Sequence, residues 1–504
     1  MTSFGDFLMH HRLTVQAALL LCLCGSLFLT GLGDRDLTSS HEARAAQNAR
    51  TILDEGHWLV PRLFDRHLEL QKPPMYYWLA ACLGWMLGGV DVWAVRLPAA
   101  LAAIASVLFL FYAGVRSGRA TAGFLAAAIL ATFVHFTWLA RVGRIDMPLA
   151  SSVTIALTAF HLGNLADNSR HGRWAWHGFG YGMLAIGVLL KGPIALVLPG
   201  MIAGTCWLLQ AGLRLRDHLA LLRSTTLGWG IPLVLAIASP WFVWANHRTN
   251  NQLWEVFFWY HNVERGLGGA EALASHPWWF YGPRAVVDLL PWSLIAPWAI
   301  YVFFRNGAIR NDPLARGGLV WFSTIALFLS LMHFKRADYL LPAYPGLAIF
   351  LGVCLEHWRH ENETKRLRMT LSFGTIVCGC VAGWLVYLAW FVPAEERAWP
   401  YRTIAREIRE RTDGPVIFFR AESHLLTYHV GKPVDTILEW ENLAIWAERS
   451  YPVYIVMPEA CIHQMRDHLP ANALEPLLFT KDFATGKRDR PLVVMRNRAA
   501  RLGL

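Results

Sequence analysis

The chain alternates long apolar runs with short polar segments over most of its length. The apolar runs are about 17–22 residues long, which is enough to cross a hydrocarbon core of roughly 30 Å as helices. Only helices and closed barrels satisfy backbone hydrogen bonds in lipid, and the runs show no strand-like alternation. The pattern therefore predicts an α-helical polytopic membrane protein with about eleven transmembrane helices and additional interfacial helices.

The predicted spans cover residues 14–32, 94–114, 121–140, 147–165, 178–190, 192–210, 225–245, 285–304, 317–332, 339–355 and 369–391. A further apolar segment, 75–90, follows Pro73 and Pro74 and is short for a span. Its tyrosines and tryptophans favour the headgroup zone, so we predict an interfacial helix there. The run at 14–32 has no clear cleavage site and is typical of an uncleaved signal anchor.

Basic residues are concentrated in every other loop, in those after the second, fourth, sixth, eighth and tenth spans. Because basic loops stay in the cytoplasm, this distribution predicts a cytoplasmic N-terminus and places the loops between the basic ones on the outer side. The same distribution accounts for the net charge of +10. The arginines are scattered rather than arranged in one stripe with aromatic residues, so we predict no nucleic-acid partner.

The composition changes at Pro393, where the apolar runs give way to short strand-like and helical segments. We predict strands at 415–419, 451–457 and 491–495 and helices at 403–412 and 442–450. The sequence thus predicts a transmembrane domain, 1–392, with a long first outward loop, 33–93, and a small periplasmic α/β domain, 393–504. The eight cysteines match neither a disulfide framework nor a metal-ligand spacing.

The side chains suited to chemistry fall in the loops predicted to face outward. They are Glu42, Lys72, Asp146, Lys191, His261, Glu264, Arg265, Lys335 and Asp338. A transport path would instead place polar groups at mid-membrane depth. This arrangement predicts an active site at one face of the membrane, facing the periplasm.

The first outward loop contains a predicted helix from about Ser40 to Asp54, with Thr38, Ser39 or Ser40 as its N-cap. Glu42 then lies in the first turn, where a carboxylate also complements the helix dipole without any catalytic role.

This loop resembles the first periplasmic loop of the membrane glycosyltransferases of the aminoarabinose transferase and protein O-mannosyltransferase type, which have the GT-C architecture. The similar stretch reads SHEARAAQNARTILDEGHWLVPRLFDRHLELQKPPMYYWL. Glu42, Arg44 and Lys72-Pro73-Pro74 match the family pattern. His41 stands where the family has Asp, and Ala45 where it has Tyr. Four later segments, RVGRIDMPLA, KGPIALVLPG, FFWYHNVERGLGG and FKRADYLLPAYPGLA, resemble the family's further outward segments in order.

The resemblance implies a bacterial inner-membrane protein with its active site facing the periplasm. It also implies a polyprenyl-phosphate sugar donor and an envelope acceptor, which is a lipid A-like lipid, a glycan or a protein. The candidate catalytic residues are Glu42, Asp146 and His41, and Asp34 or Asp36 are alternatives for the acid that His41 replaces. The candidates for binding the donor phosphate are Lys72, Arg44, Lys191, Arg265 and Lys335, and those for lining the substrate are His261, Glu264 and Tyr339. Cations of this kind stabilise the charge of a leaving phosphate, and a carboxylate takes the acceptor's proton.

No cofactor or catalytic metal is predicted. His261, Glu264 and His276 are candidates for a divalent metal together with Glu42 or His41, but Gln71 stands where the family often has a carboxylate. Two alternatives to a glycosyltransferase stay open, which are a transporter or flippase of a lipid-linked sugar and a non-catalytic membrane scaffold. The sequence shows no convincing internal repeat, and the predicted spans are nearly free of charge between their ends, which disfavours a transporter.

Overall fold

The computed structural model describes residues 4–64, 67–165, 169–211, 226–264, 276–394, 401–421, 423–431, 435–482 and 490–503. The chain forms two compact units. The first comprises Met1–Leu32, Leu70–Tyr76 and Arg96–Tyr387, and the second comprises Gly33–Glu69, Tyr77–Val95 and Leu388–Leu504. A domain boundary between residues 392 and 393 stays a prediction.

The described α-helices, in chain order, are α1 (Phe4–Cys24), α2 (Ser40–Glu55), α3 (Met75–Leu87), α4 (Val92–Arg116), α5 (Ala120–Thr132), α6 (Val134–Ala140), α7 (Asp146–Gly163), α8 (Arg170–Lys191), α9 (Ile194–Ala211), α10 (Leu227–Arg248), α11 (Tyr281–Asp288), α12 (Ala296–Arg305), α13 (Gly307–Asn311), α14 (Pro313–Leu331), α15 (Tyr344–Glu361), α16 (Arg366–Val386), α17 (Tyr401–Arg411), α18 (His424–Val430), α19 (Trp440–Ala447), α20 (Cys461–His468) and α21 (Arg498–Leu502). Short 3₁₀ or π-helical segments cover Gly25–Leu29, Trp254–Glu264, Trp278–Phe280, Trp292–Leu294, Ala337–Ala343, Glu363–Lys365 and Tyr387–Phe391. The strands are β1 (Val416–Phe419), β2 (Thr436–Ile437), β3 (Tyr454–Pro458), β4 (Leu474–Asp482) and β5 (Arg490–Asn497).

Several helical segments are long and apolar enough to cross a membrane. Within the described residues there are six: His11–Leu29, Val92–Arg116, Leu227–Arg248, Pro313–Leu331, Ala337–Glu361 and Arg366–Ala394. Two bent helix pairs raise the number to eight when each pair counts as one span. The predicted class of helical polytopic membrane protein is confirmed, while the described spans are fewer than the eleven expected.

Part of the difference lies in the two predicted spans that are not straight. Residues 121–140 form α5 and α6, which meet at 70° because Phe133 between them has extended backbone. Residues 285–304 lie in a helix pair that bends by 113°. Pro291 lies at this second bend, where its missing N–H removes a helical hydrogen bond. Predicted spans 147–165, 178–190 and 192–210 are helices α7, α8 and α9, and α7 and α8 carry ionisable residues at their ends.

Glycines let helices of the first unit pack with their backbones close together. A Cβ atom on Gly114 of α4 would lie 2.5 Å from the Cα of Gly123 in α5, and one on Gly318 of α14 would lie 2.6 Å from the carbonyl oxygen of Gly346 in α15. Such contacts favour association of membrane helices, where there is no hydrophobic driving force between helices.

The second unit contains a five-stranded sheet of order β2-β1-β3-β5-β4. β1 is parallel to β2 and β3, whereas β5 is antiparallel to β3 and β4. The predicted strands correspond to β1, β3 and β5, and the two predicted helices to α17 and α19, which confirms the small α/β fold. The elements β2, β4, α18, α20 and α21 were not predicted from the sequence.

The predicted helix of the first outward loop is α2, which belongs to this second unit. Ser39 is its N-cap, and the Ser39 hydroxyl accepts a hydrogen bond from the Glu42 N–H at 3.2 Å. The Gln47 side chain donates to the carbonyl oxygen of His424 at 2.9 Å, so α2 is fastened to α18.

Candidate active site

A cavity of about 230 Å³ in the first unit brings together polar side chains from distant parts of the chain. Its polar lining consists of Gln71, Lys72, Asp146, Lys191, Asp338 and Tyr339. Its apolar lining consists of Leu149, Ile194, Leu198, Phe257, Phe328, Leu329, Met332, Phe334 and Pro342. The cavity therefore combines a charged end with a hydrophobic wall, which is the composition that a lipid with a phosphate group requires.

Asp146 and Lys191 form a close ion pair in this cavity. The Lys191 Nζ donates to the Asp146 Oδ1 at 2.5 Å, and both side chains are at most 15% exposed. Asp146 lies in the first turn of α7 and Lys191 in the last turn of α8, where the helix dipoles favour their respective charges. Gly192 ends α8 with a φ of 82°, a conformation that glycine adopts without strain.

The Lys191 ammonium also lies over the ring of Tyr339, with 4.4 Å between the Nζ and the ring centroid. This cation–π contact supports the position of Lys191 from a second side. Lys72 lines the same cavity and is half-buried. The structure thus brings together four of the predicted site residues, Lys72, Asp146, Lys191 and Tyr339.

Further charged side chains, alternating between positive and negative, lie next to the Asp146–Lys191 pair. The Nε of Arg144 lies 4.0 Å from the Oδ2 of Asp146, and the Nη1 of Arg144 lies 2.9 Å from the Oδ2 of Asp338. Asp338 also pairs with Arg336 at 3.3 Å. Because an unpaired buried charge is costly, this alternation lets several ionised groups remain at the border of one cavity.

A buried histidine extends the network on the other side of Asp338. The Nε2 of His135 lies 3.5 Å from the Asp338 Oδ1, and its Nδ1 lies 3.5 Å from the Asp288 Oδ2. The hydroxyl of Tyr344 is 2.9 Å from the same Nδ1. His135, Asp288 and Asp338 all line a second cavity, of about 700 Å³, so Asp338 borders both cavities.

His135 and Asp288 were not predicted as site residues, since each lies inside an apolar run predicted to be a straight span. Both lie close to the bends, His135 just after Phe133 and Asp288 at the end of α11. An ionisable residue inside a membrane span is costly and is for that reason a candidate functional group. That signal was present in the sequence at both positions.

Lys335 has a different environment. Its side chain is buried, and its ammonium donates to the carbonyl oxygen of His276 at 3.0 Å and to that of Met332. Lys335 is not among the described residues that line the 230 Å³ cavity. Its predicted role in phosphate binding stays a prediction.

The remaining candidates of the first outward loop belong to the second unit. The Glu42 carboxylate is buried and accepts hydrogen bonds from the N–H of Thr38 at 3.0 Å and from its hydroxyl at 3.4 Å. The Arg44 guanidinium pairs with Glu69, with 2.6 Å between the Nη2 and the Oε2. His41 is exposed. Both Glu42 and Arg44 therefore have structural partners within this unit.

Three further candidates lie at or beyond the limits of the described residues. His261 and Glu264 end the π-helical segment Trp254–Glu264, but their side chains, like all of Arg265, lie outside the described part. Among the side chains that the structure does describe, no group of three or more His, Cys, Asp or Glu is arranged to hold a metal ion.

The chain is a multi-pass membrane protein, and its fold is that of the GT-C membrane glycosyltransferases. The profile of the family described as dolichyl-phosphate-mannose-protein mannosyltransferase matches residues 71–244. The crystal structure of ArnT from Cupriavidus metallidurans bound to undecaprenyl phosphate superposes with a TM-score of 0.80 at 19% identity, covering 96% of this chain and 98% of that chain.

The sequence relatives are aminoarabinose transferases. An undecaprenyl phosphate-alpha-4-amino-4-deoxy-L-arabinose arabinosyl transferase from Pseudomonas fluorescens (strain Pf0-1) is 29% identical over 72% of this chain and 61% of its own length. Its counterpart in Pseudomonas aeruginosa (strain UCBPP-PA14) is 31% identical over 70% of this chain and 61% of its own length. The resemblance inferred from the sequence is thereby confirmed. The chain spans about three fifths of the length of these curated relatives.

Proposed function

We propose that the protein is a bacterial inner-membrane glycosyltransferase that moves a sugar from a polyprenyl-phosphate donor to an envelope acceptor on the periplasmic side. The observation that carries the proposal is the convergence of Lys72, Asp146 and Lys191 on one cavity with an apolar wall. The two ammonium groups suit the donor phosphate, and the apolar residues suit its prenyl chain. The named relatives support 4-amino-4-deoxy-L-arabinose as the sugar and undecaprenyl phosphate as its carrier.

The proposed reaction is a direct displacement. An acceptor hydroxyl attacks the anomeric carbon, the bond from that carbon to the phosphate oxygen breaks, and the phosphate leaves with the electron pair. Lys72 and Lys191 stabilise the charge that develops on the phosphate. The acceptor's proton passes to a carboxylate.

Asp146 is our candidate for that carboxylate because it lies on the same cavity as both lysines. Its Oδ1 is held by Lys191 in the structure, at 2.5 Å. A donor phosphate competes for the Lys191 ammonium, and this competition frees the carboxylate oxygen for a proton. Donor binding would then activate the base. Glu42 remains the alternative carboxylate for this proton transfer. The acceptor remains a lipid A-like lipid, a glycan or a protein.

The test uses the full chain in nanodiscs with polyprenyl-phosphate sugar isolated from its own cells and an envelope extract as acceptor. We expect the wild type to break the sugar–phosphate bond. Asp146→Asn and Lys72→Ala should each lower the rate by about 10²-fold or more, because each removes a group that acts in the transition state. Lys365→Ala changes an exposed lysine that does not line the cavity and should leave the rate unchanged.

A transporter of the same lipid is the second candidate, since His135 and Asp288 place ionisable groups within spans predicted to be apolar. The same preparation decides between the two. A wild type that binds the lipid but leaves the sugar–phosphate bond intact with acceptor present contradicts the glycosyltransferase and favours the transporter.

A further inference from the structure

The second unit contains a basic cleft that shares no lining residue with the cavity of the proposed transfer reaction. The arginine cleft, as we define it, is lined by Asp36, Arg50, Arg402, Thr403, Arg406, Arg409, Tyr428, His429 and Gly431 and has a volume of about 350 Å³. A water molecule takes up about 30 Å³ in the liquid, so the cleft has room for a group of many atoms. Four of its side chains are guanidiniums, and one is a carboxylate.

Helical spacing places three of these arginines together. Arg402, Arg406 and Arg409 are four and three residues apart in α17, so they lie along one face of that helix. Arg50 joins them from α2, which is far away in sequence. The convergence of two helices on one concavity distinguishes this group from arginines scattered over a solvated surface.

Asp36, the single carboxylate among the lining residues, already contacts two side chains of the cleft. Asp36 pairs with Arg402 at 3.0 Å and with His429 at 3.2 Å. Arg50 lies over the ring of Tyr428, with 4.5 Å between its Cζ and the ring centroid. Both contacts fix the direction of their guanidinium groups, so part of the ordering cost of a ligand is met before it binds.

The positive charges of the other two arginines, Arg406 and Arg409, are little neutralised by nearby carboxylates. Arg406 and its neighbour Glu410 are 4.0 Å apart and both are well exposed, an arrangement worth little in water. Within the described residues, no carboxylate forms an ion pair with Arg409. Burial lowers the pKa of His429 below its usual range, and the nearby arginines act in the same direction, against Asp36. The positive charge of the cleft therefore comes from groups that stay ionised at every physiological pH.

We propose that the arginine cleft is an anion-binding site for phosphomonoester groups, carried either by the headgroup of a phosphorylated glycolipid or by a free sugar phosphate. Guanidinium groups bind phosphate oxygens through paired hydrogen bonds, and a concave cluster of them strengthens the field at its centre. Several arginines spread over one cleft suit a ligand with more than one phosphate. Binding to the arginine cleft can be measured without transfer activity.

The experiment measures binding by isothermal titration to the full chain in a neutral detergent. The probes are a water-soluble hexosamine disaccharide bisphosphate, the same disaccharide without phosphates, and inorganic phosphate. We expect the bisphosphate to bind and the dephosphorylated disaccharide not to bind. Arg406→Ala and Arg409→Ala should each weaken binding about tenfold, because each removes a charge-assisted contact.

Arg411→Ala is the matched control, since Arg411 is in the same helix but pairs with Glu407 and does not line the cleft. It should change the affinity less than twofold. Lys72→Ala tests whether the probe enters the donor cavity instead, and it should also leave the affinity unchanged. The proposal is overturned if the double variant Arg406→Ala/Arg409→Ala binds as the wild type does, or if Arg411→Ala or Lys72→Ala weakens binding as much as Arg409→Ala.

Inorganic phosphate separates the two sources of the ligand. If it displaces the disaccharide bisphosphate at similar concentration, the cleft recognises a free phosphate group. If only the acylated form of the disaccharide, presented in nanodiscs, displaces the disaccharide bisphosphate, the cleft recognises a lipid headgroup. Both results support a phosphate site. Because binding is measured without donor lipid, they are independent of whether the chain transfers a sugar.

Discussion

Arg44 and Glu69 illustrate what a single buried charge requires in this protein. The Glu69 side chain is fully buried, and the Arg44 guanidinium contacts its Oε2 through the Nη2 at 2.6 Å and the Nε at 3.2 Å. A carboxylate without water depends on such a partner for its charge. The family pattern placed Arg44 among the phosphate-binding candidates, and the structure adds a role in holding the second unit together.

Arg44→Ala leaves the Glu69 carboxylate buried and without this partner. We expect it to lower the free energy of unfolding by about 3 kcal/mol, as is usual when one half of a buried pair is removed. Thermal unfolding of the purified protein in detergent measures the loss. Adding Glu69→Gln to Arg44→Ala should restore part of the stability, and an unchanged melting temperature for the single variant would argue against the pair's importance.

At the scale of helices, one ionic cluster joins the ends of three elements of the first unit. Arg119, just before α5, contacts Asp312 at 2.8 Å and Glu356 of α15 at 2.5 Å. Asp312 is also the N-cap of α14, where it accepts hydrogen bonds from the N–H groups of Leu314 and Ala315. Burial raises the pKa of Asp312, but Arg119, His357 and the capping N–H groups outweigh burial and hold it below its usual range.

Because the pKa of Asp312 is lowered in the folded state, its contribution to the free energy of unfolding decreases as the pH falls. Its contribution is complete above the unfolded-state pKa of about 3.9 and disappears as the pH falls through the lower folded-state pKa. Asp312→Asn keeps a capping side chain but removes the charge, so we expect it to melt at a lower temperature than the wild type at pH 7. This difference should shrink when melting is measured below about pH 4. A difference that is constant down to the lowest pH would contradict the assignment.

At the scale of the whole first unit, the 230 Å³ cavity depends on segments that are remote in sequence. Lys72, Asp146, Lys191 and Tyr339 reach it from four separate elements, and its apolar wall comes from α7, α9, α14 and the segments near them. The proposed donor fits this cavity only if its prenyl chain lies along the apolar wall.

Leu198→Trp tests that placement because Leu198 is an apolar lining residue in α9. A larger side chain should obstruct the prenyl chain and lower kcat/KM for a long-chain donor by about tenfold, in line with the cost of overpacking a buried site. A donor with a short prenyl chain should be affected much less. Equal losses with both donors would show that the substitution disturbs the polar end or the fold instead.

The sequence anticipated much of the fold and part of the site. Helix α2 with its cap at Ser39 was predictable, since capping depends on neighbouring residues. Asp146 and Lys191 were recognised from motifs, but their contact was not, because they are 45 residues apart. His135 and Asp288 were missed because the many apolar residues around them outweighed this one residue in each run.

Local properties of the chain determined its class. The length of the apolar runs determined that it is a helical membrane protein, and the order of the motifs determined its resemblance to the aminoarabinose transferases. Only the tertiary structure decided which charges face one another: Asp146 with Lys191, Asp338 between Arg144 and His135, and four arginines around one cleft. The physical reason is that hydropathy and capping act between near neighbours, whereas ion pairs across the fold depend on how bent helices pack.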